Sequence, residues 1–123
     1  MYNNLFVLKK LEQILKALNH IPRRFTDIEA PSDFRRDNEG IDKLDGICMS
    51  LIAVGEAFKR IDEKTSGELL KNYPDIEWRG VIGVRNVIAH GYFDVDVEQV
   101  FDICKHDIPE LIEVVERMIK DLK

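Results

Sequence analysis

Leu5, Leu8, Leu11, Leu15 and Leu18 recur every third or fourth residue, with Phe6 and Ile14 beside them, which places them on one stripe of a helix. The same period returns wherever the chain is apolar, and no stretch of any length alternates as a half-buried strand does. The pattern predicts an all-α fold, four or five helices in a bundle. The first helix is expected to end near Asn19. Residues 20–37 mix Pro22, Pro31, Ser32 and Asp33 with Arg23, Arg24, Arg35 and Arg36 and keep no apolar period, so they read as a long, partly basic connection. Over residues 38–62 the positions Ile41, Leu44, Ile47, Cys48, Leu51, Ile52, Val54, Phe58 and Ile61 cover more than one stripe, as in a central helix contacted on several sides.

Thr65 and Ser66 are candidate caps for a short turn through Leu70. Pro74 then interrupts the chain, and Asp75 suits the N-cap of a helix over residues 76–90, with Gly91 at the position where helices most often stop. Val97, Phe101, Cys104, Ile108, Leu111, Val115, Met118 and Leu122 keep one phase across Pro109. Because proline costs a helix interior ~3 kcal/mol, this predicts two collinear pieces or one kinked helix, with Asp107 and Glu110 suited to a fresh start.

A length of 123 residues is that of one domain, and its 45% hydrophobic and 33% charged residues describe a soluble globular chain. Residues 1–123 are therefore expected to form a single helical domain. No apolar run approaches the ~18–20 residues that span a bilayer, and the first residues lack the basic head of a signal peptide, so a cytoplasmic protein without membrane contact is expected. Cys48 and Cys104 lie among apolar neighbours and read as small core side chains rather than a disulfide. The net charge of −5 argues against a surface broadly attractive to nucleic acid. Any nucleotide or RNA chemistry has to be local.

Polar groups gather at the end of the helix over residues 76–90. At ~100° per residue Asn86 and His90 share a face, and Arg85 lies about 140° from His90, within reach of its long stem. Imidazole exchanges a proton near neutral pH, and guanidinium clamps phosphate through two parallel donors. Together they suit phosphodiester cleavage. A purely structural reading stands beside this one, because histidine is favoured at a helix C-terminus by the dipole and an Arg-Asn pair can serve backbone carbonyls.

The segment from Arg85-Asn86-Val87-Ile88-Ala89-His90 to Tyr92 resembles the Arg-X4-His-X-Tyr signature of the HEPN superfamily, specifically the HepT-like toxins paired with MntA-type minimal nucleotidyltransferase antitoxins. Three further segments agree in order and spacing. Ala53-Val54-Gly55-Glu56-Ala57 is similar to the family's second helix, Ile76-Glu77-Trp78-Arg79-Gly80 to the entry of its catalytic helix, and Asp107-Ile108-Pro109-Glu110-Leu111 to the step before its last helix. The likeness extends over about residues 32–122. It departs from the family where Glu77, instead of proline, precedes Trp78, which moves the helix start without touching the chemistry.

The resemblance implies an up-and-down HEPN-like bundle that dimerises through the face carrying this motif, so that two motifs form a composite site. It further implies a bacterial or archaeal toxin that is a metal-independent endoribonuclease. Arg85 and His90 would be its catalytic pair, Asn86 would orient them, and Tyr92 would accept AMP from the partner nucleotidyltransferase. RNA, the antitoxin and a second copy are the implied partners; no cofactor or metal is implied. An alternative is a non-catalytic subunit that binds a nucleotide or substrate for a nucleotidyltransferase, and another is a cap that only stabilises a dimer.

Glu56, on the central helix, is a candidate to hold Arg85 by an ion pair, with Asp37 and Asp45 as weaker candidates. Arg23, Arg24, Arg35 and Arg36 could steer RNA or the antitoxin toward the site, although connector charges are more often simply solvated. Trp78, Phe101 and Tyr73 have the spacing of core or interface aromatics. His20 and His106 have no neighbours at metal-ligand spacing, and there is no Gly-rich phosphate loop or serine elbow.

Overall fold

A computed structural model describes residues 3–90 and 92–123, excepting the side chains of Val87, Ala89, His90 and Tyr92. Its helices are α1 (Asn4–Phe25), α2 (Asp33–Arg36), α3 (Asn38–Lys64), α4 (Trp78–His90), α5 (Val97–Asp102) and α6 (Ile108–Leu122), and the described residues contain no strand. The all-α expectation is borne out, with four long helices and two short ones. α3 packs against α1, α2 and α4, while α6 lies on α1. No helix among the described residues is long and apolar enough to cross a membrane.

Asn3 caps α1, its side chain accepting from the amides of Leu5 and Phe6. The buried stripe is Val7, Leu11, Ile14, Leu18 and Ile21, and Leu5 is 66% exposed, so the core-facing phase differs from the leucine repeat that advertises the helix. α1 also does not end at Asn19. It runs through Pro22 to Phe25, because Ile21 is fully buried and the Phe25 ring packs on Phe34 and Phe101 at 6.3 and 5.2 Å. Burying such side chains stabilises by about 1.5–3 kcal/mol each, enough to offset one missing helical hydrogen bond.

The expected loose connection is an ordered corner around Asp33. Its carboxylate accepts from the amides of Glu29 (2.8 Å) and Ala30 (3.1 Å) and pairs with Arg36 at 2.8 Å. The Glu29 amide most of all, with Ala30 and the Arg36 charge, holds this carboxyl below its ordinary value, although burial opposes the shift. Asp37 then caps α3 by accepting from the Gly40 amide. Gly40 has no room for a Cβ, which would overlap the Asp33 carbonyl oxygen.

At its other end α3 closes on Thr65, whose hydroxyl donates to the Ile61 carbonyl at 2.8 Å. Ser66 takes the left-handed conformation (φ 52°), its amide reaching Glu63, and the Gly67 amide reaches back to Asp62. Thr65 and Ser66 thus terminate a helix, instead of capping the turn that follows; that turn is a 3-10 segment, Leu70–Asn72. α4 begins at Trp78, not Ile76, because Asp75 pairs with Arg117 at 3.5 Å while Glu77 accepts from the Arg79 amide. Glu77 is itself the cap of α4.

Of the two alternatives for the final segment, the structure has one continuous helical path. Asp96 caps α5, accepting from the amides of Glu98 and Gln99. A wider π turn, Ile103–Asp107, leads into α6, with Pro109 in the first turn and the Ile108 amide reaching the Ile103 carbonyl. Asp107 makes no side-chain cap, so the fresh start it suggested does not occur. Cys48 and Cys104 are both free and buried in the core, and burial pushes their thiols up to about 11 and about 12.

Two consequences are measurable by chemical denaturation. Gly40→Ala is expected to lose about 1–3 kcal/mol by overpacking, whereas Gly83→Ala, where a Cβ meets nothing within 4 Å, gains about 0.5–1 kcal/mol from reduced backbone freedom. Asp33 contributes stability above the unfolded carboxyl value of 3.8, and that contribution disappears as pH falls through its lower folded value. The stability gap between the parent and Asp33→Asn therefore closes with acidification; a gap constant from neutral to strongly acidic pH would refute it.

Candidate functional site

Two neighbouring residues of α3 build the site from below. A Cβ on Gly55 would stand 3.1 Å from the Val81 carbonyl oxygen and 3.4 Å from that of Ile82, so glycine lets the two helix backbones approach closely. Ile88, 4% exposed, anchors the far half of α4 in the core. With α4 held against α3, the next residue, Glu56, reaches Arg85: its Oε1 pairs with the arginine Nε. Arg85 Nη1 donates to Asn86 Oδ1 at 3.4 Å, a long bond between side chains of consecutive residues.

The structure thus brings together Glu56, Arg85 and Asn86 of the expected set. His90 is the last residue of α4, one helical turn beyond Asn86, and Tyr92 opens a 3-10 turn, Tyr92–Asp94. The side chains of His90 and Tyr92, and Gly91 entirely, lie outside the described residues. The guanidinium and its carboxylate are 46% and 42% exposed. An ion pair so open to water adds at most about 1 kcal/mol. Its effect is orientation: Nε is tied to Glu56 and Nη1 to Asn86, and no described residue bonds Nη2. Such a fork can grip a phosphate oxygen.

Other candidates have structural roles. Asp37 caps α3, and the charge of Asp45 adds to the upward shift of Cys48; the carboxylate that pairs with Arg85 is that of Glu56. Arg35 donates to the Val95 carbonyl at 2.8 Å, fastening the chain just past the motif, and Arg36 pairs with Asp33 and Asp37. Arg23 meets His20 Nδ1 at 3.0 Å. The aromatics belong to the core: Trp78 packs on Phe58 at 4.8 Å and donates to the Tyr73 carbonyl, and Tyr73 donates to Asp121. No three His, Cys, Asp or Glu side chains gather to hold a metal among the described residues.

Two hollows flank α3, and the linear sequence signalled neither, because each is assembled from separate helices. One, of about 550 Å³, lies between α4 and the α5–α6 path; its apolar floor is rimmed by Asp75, Glu77, Asp107 and Glu110, and among the described residues no lysine or arginine lines it. Phosphate is repelled there. The other, of about 260 Å³, lies between α1 and α3 and is lined by Glu56 together with Lys10, Gln13 and Arg60.

The sequence model of the ribonuclease HepT-like family matches residues 14–118. The chain belongs to this family. The resemblance carried by the four motif segments is borne out to that extent, and the helical bundle is the HEPN-type fold. The "Probable ribonuclease HepT" of Thermococcus cleftensis is 31% identical over 110 residues, covering 89% of this chain and 93% of that protein. "Putative RNase MJ0125" and "Putative RNase MJ0127" of Methanocaldococcus jannaschii are 36% and 31% identical over 77 residues, 63% of this chain. The match spans only 63% and 60% of those two proteins. No solved structure matches.

If Glu56 orients the fork, Glu56→Gln is expected to cost no more than about 1 kcal/mol of stability while the Arg85 Nε–H loses its protection from solvent exchange in NMR. A larger loss of stability with unchanged exchange would make the pair a folding element instead.

Proposed function

We propose that this chain, acting as one helical domain in the cytoplasm, is the toxin of a bacterial or archaeal toxin–antitoxin pair and a metal-independent endoribonuclease. The observation that carries the reading is the oriented, half-exposed Arg85 guanidinium on the helix that ends in His90, in a chain of the HepT-like ribonuclease family. Two copies dimerise through this face, and RNA enters the groove between them. The ribose 2′-oxygen attacks the adjacent phosphorus, its proton leaves, and the bond to the 5′-oxygen breaks as that oxygen takes a proton. The products are a 2′,3′-cyclic phosphate and a 5′-hydroxyl. His90 supplies the base or the acid, Arg85 stabilises the pentavalent phosphate, and Asn86 steadies the arginine.

In this reading a minimal nucleotidyltransferase antitoxin transfers AMP to Tyr92. Added phosphate beside the motif blocks the groove and repels RNA, which is why modification there silences the toxin.

One observation favours a second reading. Glu56 offsets part of the Arg85 charge, and in an acidic chain that suits a subunit that binds a nucleotide or substrate for a nucleotidyltransferase and does no chemistry itself. Purified protein free of any partner decides between them.

Arg85→Ala and His90→Ala are each expected to lower RNA cleavage by about 10²–10⁴-fold and to relieve growth arrest, while the parent still cuts RNA in the presence of a chelator. Retained cleavage in the double variant would sink the ribonuclease reading. Intact-mass analysis after co-expression with the nucleotidyltransferase should show AMP-sized additions that vanish in Tyr92→Phe.

A further inference from the structure

α1 and α3 run antiparallel, and their seam is exposed on the side where Glu56 reaches Arg85. At one end the Arg24 side chain lies directly over Gly46, where a Cβ would displace it. Counting back along α1 and forward along α3 from that contact leads to the hollow of about 260 Å³, where Ala17, Ala53 and Ala57 leave a shallow floor. Lys10 and Arg60 stand at its far end. Arg24 and Lys10 are fourteen positions apart on α1, about 21 Å along the helix.

The charge along this seam differs from that of the whole chain. Net charge is −5, and the larger hollow beyond α4 is rimmed by four carboxylates and no cation. Along the seam hollow the one carboxylate is Glu56, which is paired with Arg85, so Lys10 and Arg60 are left as its excess charge. Among the described residues Lys10 forms no ion pair, its Nζ donating to the Gln13 amide oxygen at 3.5 Å and lying 5.9 Å from the Phe6 ring, and Arg60 forms none either. Both can turn to an anion at little loss. Small floor residues and flanking cations, with the Gln13 amide between them, match a flexible polyanion lying lengthwise. Glu56 borders both the hollow and the Arg85 fork, so a strand lying here leads to the candidate site.

We propose that the α1–α3 seam is the track for single-stranded RNA, with Lys10 and Arg60 at its far end holding backbone phosphates on one side of the phosphate at Arg85. The proposal rests on the ribonuclease reading and extends it to residues outside the motif. Lys10 and Arg60 touch the substrate backbone and no reacting atom, so they set binding and leave the chemical step alone.

Binding of a fluorescent single-stranded RNA and of the same sequence as DNA is measured over a salt series, using the His90→Ala chain so that the probe survives. Lys10→Ala/Arg60→Ala in that background is expected to weaken RNA binding about tenfold or more and to reduce the salt slope by about 1.4, the value for two phosphate contacts on a single strand. Lys71→Ala/Lys105→Ala removes the same net charge from other surfaces and leaves the slope as it was. Ala53→Lys, on the floor of the hollow, steepens the slope. In the active chain the Lys10/Arg60 pair raises KM with kcat within about twofold.

A slope unchanged by Lys10→Ala/Arg60→Ala, or a fall in kcat at constant KM, overturns the track while cleavage that still depends on Arg85 leaves the ribonuclease reading standing. Slope-dependent binding without any cleavage by the active chain has the opposite meaning: the seam holds RNA and the ribonuclease reading fails. DNA bound as tightly as RNA confines the track to backbone recognition and assigns the choice of sugar to the 2′-hydroxyl chemistry. Absence of any RNA binding removes both.

Discussion

The close approach of α3 and α4 at Gly55 is the contact on which the candidate site depends. A side chain there would push against the carbonyl oxygens of Val81 and Ile82, which are backbone atoms that cannot rotate away. Because residues 55 and 56 are adjacent on α3, the same approach that seats α4 also sets the distance from Glu56 to Arg85. The packing of two helices and the aim of one guanidinium are therefore a single constraint. Displacing α4 would release the arginine before it disturbed the rest of the core, since α1 packs on both α3 and α6 without α4.

Much of this was readable from the sequence, and what was not has two physical causes. The period of three and four located α1, α3 and α6, the boundary residues Pro74, Asp75 and Gly91 located α4, and the four motif segments identified the family. The Arg85–Glu56 pair was legible as a candidate, because an unpaired acid on a central helix is costly to bury, but Asp37 and Asp45 stood beside it and only the packing of α3 on α4 selects Glu56. Some misreadings occur where a tertiary contact outweighs a local rule, and the others, at Asp33 and Thr65, where a side chain bonds backward along the chain. Pro22 lies inside α1 because Ile21 and Phe25 are held by the core, and Pro109 is absorbed by the π turn before it. Asp75 looks like a cap and is taken by Arg117 instead, which moves the duty to Glu77. Asp33, read as part of a loose connection, organises that connection by reaching back to the amides of Glu29 and Ala30, four and three residues earlier.

Net charge was the least informative number, because it carries no address. Four carboxylates rim the hollow between α4 and the α5–α6 path, whereas Lys10 and Arg60 line the hollow in the α1–α3 seam. Which residues of α1 face which residues of α3 is decided by the register of the pair, and nothing within either helix states it. Arg24 over Gly46 is the contact that reveals that register. An acidic chain can thus hold a polyanion, provided that the like charges are on another face and salt screens them beyond about 10 Å.

The pairing of Arg85 with Glu56 sets two demands against each other. A guanidinium without a partner presents its full charge to phosphate but samples many rotamers, and each immobilised long side chain loses entropy of order 1 kcal/mol on binding. Tying Nε to a carboxylate removes that loss beforehand and sacrifices part of the field. Because the pair is nearly half exposed, water already weakens the carboxylate's effect, so orientation is gained at a modest electrostatic penalty. Burying the same pair would reverse the balance: the carboxylate would then cancel most of the charge, and the arginine would be left a structural residue.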